Sequence, residues 1–192
     1  MLALRVPTSS AWLEAVFSDF GAFLVDHAAC EKKAFSTGMA LVSRYPERQA
    51  LVTELIAFAR EELGHFALVH GILAARGLTL ARDEPDEYAR ALRGQVRSHG
   101  DAELCDRLLV AGIIEARSCE RLGLLADALP AREPLLADTY RELCRAEARH
   151  HGLFFRLCRD AVGDAETERR AADLLAFEAG VVGKLPLRAS VH

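Results

Sequence analysis

Four long stretches of this chain carry apolar residues at spacings of three and four, and no segment alternates with period two. A stripe that repeats every 3.6 residues can be buried only along one side of a helix, so the chain must pack helices on helices. Proline and glycine set the lengths of those helices. Ser9 or Ser10 caps a first helix that runs to Arg44, with a break expected between Gly21 and Asp26, and Tyr45-Pro46 forces a turn. A second helix is expected from about Glu47 to Arg76, stopping at Gly77. A long connection from Gly77 to Gly100 contains Pro85 and a short helix around Asp86 to Arg97. The third long helix covers about Asp101 to Ala128 and Pro130 marks the next turn. The fourth runs from about Arg132 to Val162 and ends at Gly163, and a last helix begins near Asp164.

Long helix, tight turn, long helix, long crossover, long helix, tight turn, long helix is the connectivity of an all-α, ferritin-like four-helix bundle with one crossover and additional short helices. With 192 residues and 51% hydrophobic residues, one well-buried core is affordable, and no shift in composition marks a second domain; residues 1–192 are expected to form one.

Each apolar stripe is interrupted by acid. The first helix reads Leu24, Ala28, Glu31, Phe35, and the third reads Leu108, Ala111, Glu115, Cys119. The second reads Leu55, Phe58, Glu62, His65, Val69, and the fourth reads Leu143, Glu147, His150, Phe154. Each half of the chain thus supplies a lone glutamate and then a Glu-x-x-His pair, whose two side chains share one helix face. Four carboxylates buried without partners cost several kcal/mol apiece, of order, even after relaxation. Two divalent cations would neutralise them, and the two imidazoles would complete a carboxylate-bridged centre of the kind found in di-iron bundles. The mixed oxygen and nitrogen set suits iron or manganese better than zinc.

Height along the hairpin selects the acid of the third helix. Glu31 lies 14 residues before Tyr45 and Glu62 lies 17 after it, an offset of about 4 to 5 Å at 1.5 Å per residue. Taking Pro130 as the second turn, Glu115 lies 15 before and Glu147 lies 17 after, whereas Glu120 is only 10 before and misplaced by roughly 10 Å. Glu61 and His151 are turned off the ligand faces by about 100° of helix rotation. His27, His70, His99 and His192 have no partners at ligand spacing and read as surface or hydrogen-bonded side chains, and Tyr140 as a core tyrosine.

Composition narrows the setting. A net charge of −4 argues against indiscriminate binding of nucleic acid. The basic residues are arginine except for Lys32, Lys33 and Lys184, a choice that suits both phosphate contacts and ordinary helix surfaces. The five cysteines fall within helical patterns, form no Cys-x-x-Cys pair and read as reduced thiols. No apolar run is long enough to span a bilayer and the N-terminus lacks the apolar region of a signal peptide, so a cytoplasmic protein is expected.

Four strings carry a resemblance: Asp26-His27-Ala28-Ala29-Cys30-Glu31-Lys32-Lys33-Ala34, Ala59-Arg60-Glu61-Glu62-Leu63-Gly64-His65-Phe66, Ile114-Glu115-Ala116-Arg117-Ser118-Cys119-Glu120-Arg121 and Glu147-Ala148-Arg149-His150. They resemble the tRNA hydroxylases that act on 2-methylthio-isopentenyl-adenosine, and the likeness extends from Val6-Pro7-Thr8 to Glu178-Ala179. The resemblance implies a non-haem di-iron monooxygenase that uses O2 and two electrons to hydroxylate the isopentenyl group of a modified adenosine in tRNA. It implies that Glu31, Glu62, His65, Glu115, Glu147 and His150 hold two iron ions, and it assigns no catalytic role to Arg117, Ser118, Cys119, Glu120 or Arg121. No nucleotide or flavin fingerprint is present, so a separate reductase or ferredoxin-like protein is expected to deliver the electrons. The coordination set by itself also accommodates a peroxidase, a hydroxylase of a small lipid-like molecule, or an iron-storage bundle.

Overall fold

A computed structural model describes residues 4–129 and 132–192. The described residues form seven helices and no strand: α1 (Ala11–Ser18), α2 (Phe20–Arg44), α3 (Gln49–Ala75), α4 (Glu87–Arg93), α5 (Gly100–Ala128), α6 (Pro134–Val162) and α7 (Asp164–Val182). Their order is that of the expected hairpin, crossover and hairpin.

The boundaries that differ have local causes. The break in the first helix falls at Asp19, ahead of the expected Gly21 to Asp26, because the Asp19 carboxylate accepts a hydrogen bond from the Ala22 N–H at 2.9 Å and caps α2. At the end of α3, Gly77 adopts φ +69°, and the Gly77 and Leu78 N–H groups donate to the carbonyls of Ala74 and Leu73. This is a Schellman ending, and its left-handed residue favours glycine. Helix α4 ends at Arg93, short of the expected Arg97, because Arg97 is drawn to α5. Its backbone N–H and its Nε donate to Asp106 Oδ2 at 2.8 and 2.9 Å. Arg170 of α7 binds the same carboxylate at 2.8 and 3.0 Å. Helix α6 starts at Pro134, where a missing N–H costs nothing, and not at Arg132. The turn expected at Pro130 lies outside the described residues.

The chain divides into two compact units: Glu14–Glu84 with Arg188–Val191, and Met1–Leu13, Pro85–Leu187 with His192. In the first, α2 and α3 pair, with Phe23, Leu24, Leu41, Leu51, Leu55, Phe58, Val69 and Leu73 buried. Gly38 admits Phe58, since a Cβ there would stand 2.9 Å from the ring. In the second, α5 pairs with α6, and α7 packs on both. Helix α5 is buried on nearly every side, including Glu103, Asp106, Glu115, Arg117, Ser118 and Arg121, so its single apolar stripe understated its role.

Candidate metal centre

Within the α2–α3 unit, Glu31 comes from the middle of α2, and Glu62 and His65 come from successive turns of α3. Glu31 is 5% exposed and Glu62 is sealed from solvent. His65 Nδ1 lies 3.6 Å from Glu31 Oε2 and 3.7 Å from Glu62 Oε2. One donor atom from each of the three residues lies within 4.8 Å of the others. His27, one turn before Glu31 and buried, bonds Glu31 Oε1 through Nε2 at 2.7 Å. Of the two readings open to it, His27 is thus the hydrogen-bonded one. The signal was its i,i+4 spacing from Glu31, which fits a group that orients this carboxylate.

The electrostatics of this triad show a demand for positive charge. Burial pushes the Glu62 carboxyl up to about 8, with the neighbouring Glu31 charge adding to it against the opposing pull of the His65 imidazole. Burial disfavours the His65 imidazolium, but the Glu31 and Glu62 carboxylates beside it outweigh that and push it up to about 10. Burial raises Glu31 too, yet the hydrogen bond with His27 and the His65 imidazole close by hold it well below the usual carboxylate range. Protons are retained where two carboxylates crowd one imidazole, and a dication can replace them.

Within the α5–α6 unit the second triad repeats the first. Glu115 of α5 and Glu147 and His150 of α6 are all 5% exposed or less, and their donor atoms also fall within 4.8 Å of one another. His151 is turned away as expected, with Nδ1 on the Gly112 carbonyl at 2.8 Å. Glu61 is exposed on the outside of α3, and Tyr140 is wholly buried in the core. The residue types in both triads, two carboxylates and one imidazole each, fit divalent iron or manganese.

Glu120 is occupied elsewhere. It accepts from the Thr8 N–H at 2.9 Å and the Thr8 hydroxyl at 2.7 Å, and it pairs with Arg117. Arg117 is itself fully buried: Nε and Nη2 donate to Glu178 Oε1 at 2.9 and 2.7 Å, and Nη2 donates to the Val6 carbonyl at 3.0 Å. Tyr88 donates to the same Glu178 oxygen at 3.0 Å and stacks on His192, whose Nε2 meets the Ser118 hydroxyl at 2.9 Å. Arg121 lies 5.4 Å from the Trp12 ring centroid. The string Arg117-Ser118-Cys119-Glu120-Arg121 therefore ties α5 to the N-terminal segment, α4 and α7. In the other unit, Lys32 and Lys33 hold the start of the crossover, through Asp83 at 2.7 Å and the Glu84 carbonyl at 3.1 Å. Sequence reasoning assigned none of these roles, because, apart from the Arg117–Glu120 pair, the partners lie 51 to 112 positions away.

Comparisons with known proteins agree with this architecture. The family model described as tRNA-(MS[2]IO[6]A)-hydroxylase (MiaE) matches residues 1–192. A Pseudomonas putida protein named tRNA 2-(methylsulfanyl)-N(6)-isopentenyladenosine(37) hydroxylase is 36% identical over 176 residues, covering 89% of this chain and 84% of its own. A Salmonella typhimurium protein of the same name is 27% identical over 197 residues, covering 77% and 72%. Among solved structures, a protein from Synechococcus described as having aldehyde deformylating oxygenase activity superposes with a TM-score of 0.92 at 34% identity, covering 98% of this chain and 94% of that one. The chain belongs to the tRNA-(MS[2]IO[6]A)-hydroxylase (MiaE) family.

Proposed function

We propose that this protein is a di-iron, O2-dependent monooxygenase that hydroxylates the isopentenyl group of (2-methylthio-)isopentenyl-adenosine in tRNA. The observation that carries the reading is the pair of buried Glu/Glu-x-x-His triads, one in each helical hairpin of a chain from a tRNA hydroxylase family. In this proposal residues 1–192 act as a single domain. Glu31, Glu62, His65, Glu115, Glu147 and His150 together hold two iron ions, and His27 positions Glu31. Bound iron would supply reductive activation of O2. The balance is one C–H bond and O2 converted, with two electrons and two protons, to one C–OH group and water.

The chain's own contribution is to hold the ligands rigidly on four long helices and to keep water from them, since the ligand faces are otherwise apolar. No element of the sequence stores electrons, so the two electrons come from a separate reductase or ferredoxin-like protein. No helix among the described residues is long and apolar enough to cross a membrane, and action on tRNA fits a cytoplasmic enzyme.

The likeness to a structure with aldehyde deformylating oxygenase activity favours a second reading, an oxygenase of a small lipid-like molecule. Nucleoside analysis of tRNA from cells with and without the gene separates the two. Hydroxylated isopentenyl-adenosine should vanish with the gene, and unchanged tRNA would exclude the first reading. Metal analysis should find two irons per chain and a lower melting temperature after chelation. One zinc per chain, or a melting temperature indifferent to chelation, would exclude the di-iron centre.

A further inference from the structure

Two pairs of cysteines cross the seam between α5 and α6. Cys105 and Cys158 bring their sulfurs to 3.0 Å, and Cys119 and Cys144 bring theirs to 3.5 Å. The first pair is sealed, with both residues 0% exposed. The second is not, because Cys144 is only partly buried. Its position matters as well. Cys119 follows Glu115 by one turn and Cys144 precedes Glu147 by one turn, so both thiols lie on the ligand faces of their helices.

We propose that Cys119 and Cys144 form a hydroperoxide-sensitive dithiol whose oxidation to a disulfide clasps α5 to α6 one turn from Glu115 and Glu147. A disulfide needs about 2.05 Å between sulfurs, so the thiols must close by roughly 1.5 Å, within reach of a small side-chain rotation. The hydrogen bond shared with Cys119 draws Cys144 down to about 7, against the desolvation that opposes it, and makes Cys144 the nucleophile at neutral pH. The Cys144 thiolate attacks the terminal oxygen of the hydroperoxide, breaking the O–O bond and forming a sulfenic acid, with water or an alcohol leaving. The Cys119 sulfur then attacks the Cys144 sulfur, and the sulfenic hydroxyl leaves as water with the Cys119 proton. Both thiols are oxidised and the peroxide is reduced by two electrons. The inference does not depend on the oxygenase reading, since it uses only the thiols and an external hydroperoxide.

The cysteines fall on separate tryptic peptides, which makes the test direct. Purified full-length protein, both as isolated and after chelation, is treated with a small excess of hydrogen peroxide, blocked with N-ethylmaleimide, digested and analysed by mass spectrometry. Two of the five thiols should be lost, with peptide Ser118 to Arg121 linked to peptide Glu142 to Arg145, and dithiothreitol should restore both. In Cys119→Ser, whose fold is checked by circular dichroism, dimedone should trap a sulfenic acid on Cys144. Oxidation of Cys105 with Cys158 first, conversion of Cys144 to sulfinic acid without a link, no thiol loss, or a link that forms only before chelation would each overturn the proposal.

Discussion

Alanine at Glu115 and at Glu120 should separate metal binding from the stability of the metal-free fold. Glu120 is 20% exposed along its side chain and receives two hydrogen bonds from Thr8 as well as the Arg117 ion pair. Hydrogen bonds to a charged group contribute about 1.5–3 kcal/mol each when buried. With partial exposure and with Arg117 keeping Glu178, the loss on Glu120→Ala comes to about 2–4 kcal/mol. For a chain of this size each kcal/mol lowers the melting temperature by about 2–4 °C, so a fall of roughly 4–16 °C is expected, with both irons retained. Glu115 instead lies within 4.8 Å of Glu147 and His150. Its removal relieves crowding of carboxylates while leaving a small cavity, and these terms offset one another to within about 1 kcal/mol in the metal-free protein. What Glu115→Ala should lose is the proposed iron, and with it the stabilisation that bound iron would confer, about 2.7 kcal/mol at a free concentration one hundred times the dissociation constant. Metal analysis and thermal melts with and without chelator measure both quantities. Iron lost from Glu120→Ala but kept by Glu115→Ala would refute the assignment and the height argument behind it.

Packing along the helices makes a second contrast. A Cβ at Gly112 would meet Phe155 Cδ2 at 2.9 Å and the less movable Phe154 Cβ at 3.1 Å, so Gly112→Ala should lose about 1–2 kcal/mol in urea unfolding. Gly71→Ala, with nothing within 4 Å, should gain about 0.5–1 kcal/mol; equal signs would refute the reading of the seam. In the metal-free protein Glu62 and His65 both bind protons more tightly than in the unfolded chain, where 4.5 and 6.5 apply. Their contribution is therefore complete below those values and is lost as pH rises towards about 8 for Glu62 and about 10 for His65. The melting temperature of chelated protein should fall between about pH 6 and about pH 9, and a rise would contradict these shifts. Binding of substrate tRNA should weaken with salt on a logarithmic slope through arginine contacts to phosphate, and salt-independent affinity would exclude such a surface.

The parts of this protein legible from sequence are those governed by local periodicity. A helix face repeats every 3.6 residues whatever surrounds it, so the stripes located α2, α3, α5 and α6 and put Glu31, Glu62, Glu115, Glu147 and His150 on faces that are buried, with His65 half-buried. Proline and glycine likewise marked the ends at Arg44 and Val162. What tertiary structure alone decided depends on partners distant in the chain. Nothing near Arg117 indicates that it will be sealed from solvent, because the carboxylate that makes this tolerable, Glu178, lies 61 residues away. Arg97 leaves its helical pattern because Asp106 and Glu166 compete for it across α5 and α7. Cys119 and Cys144 are two unremarkable thiols until α5 and α6 pair and bring them to 3.5 Å. Periodic burial is a property of a single helix and can be counted along the sequence, whereas a buried charge or a thiol pair is stable or reactive only through a neighbour that folding supplies.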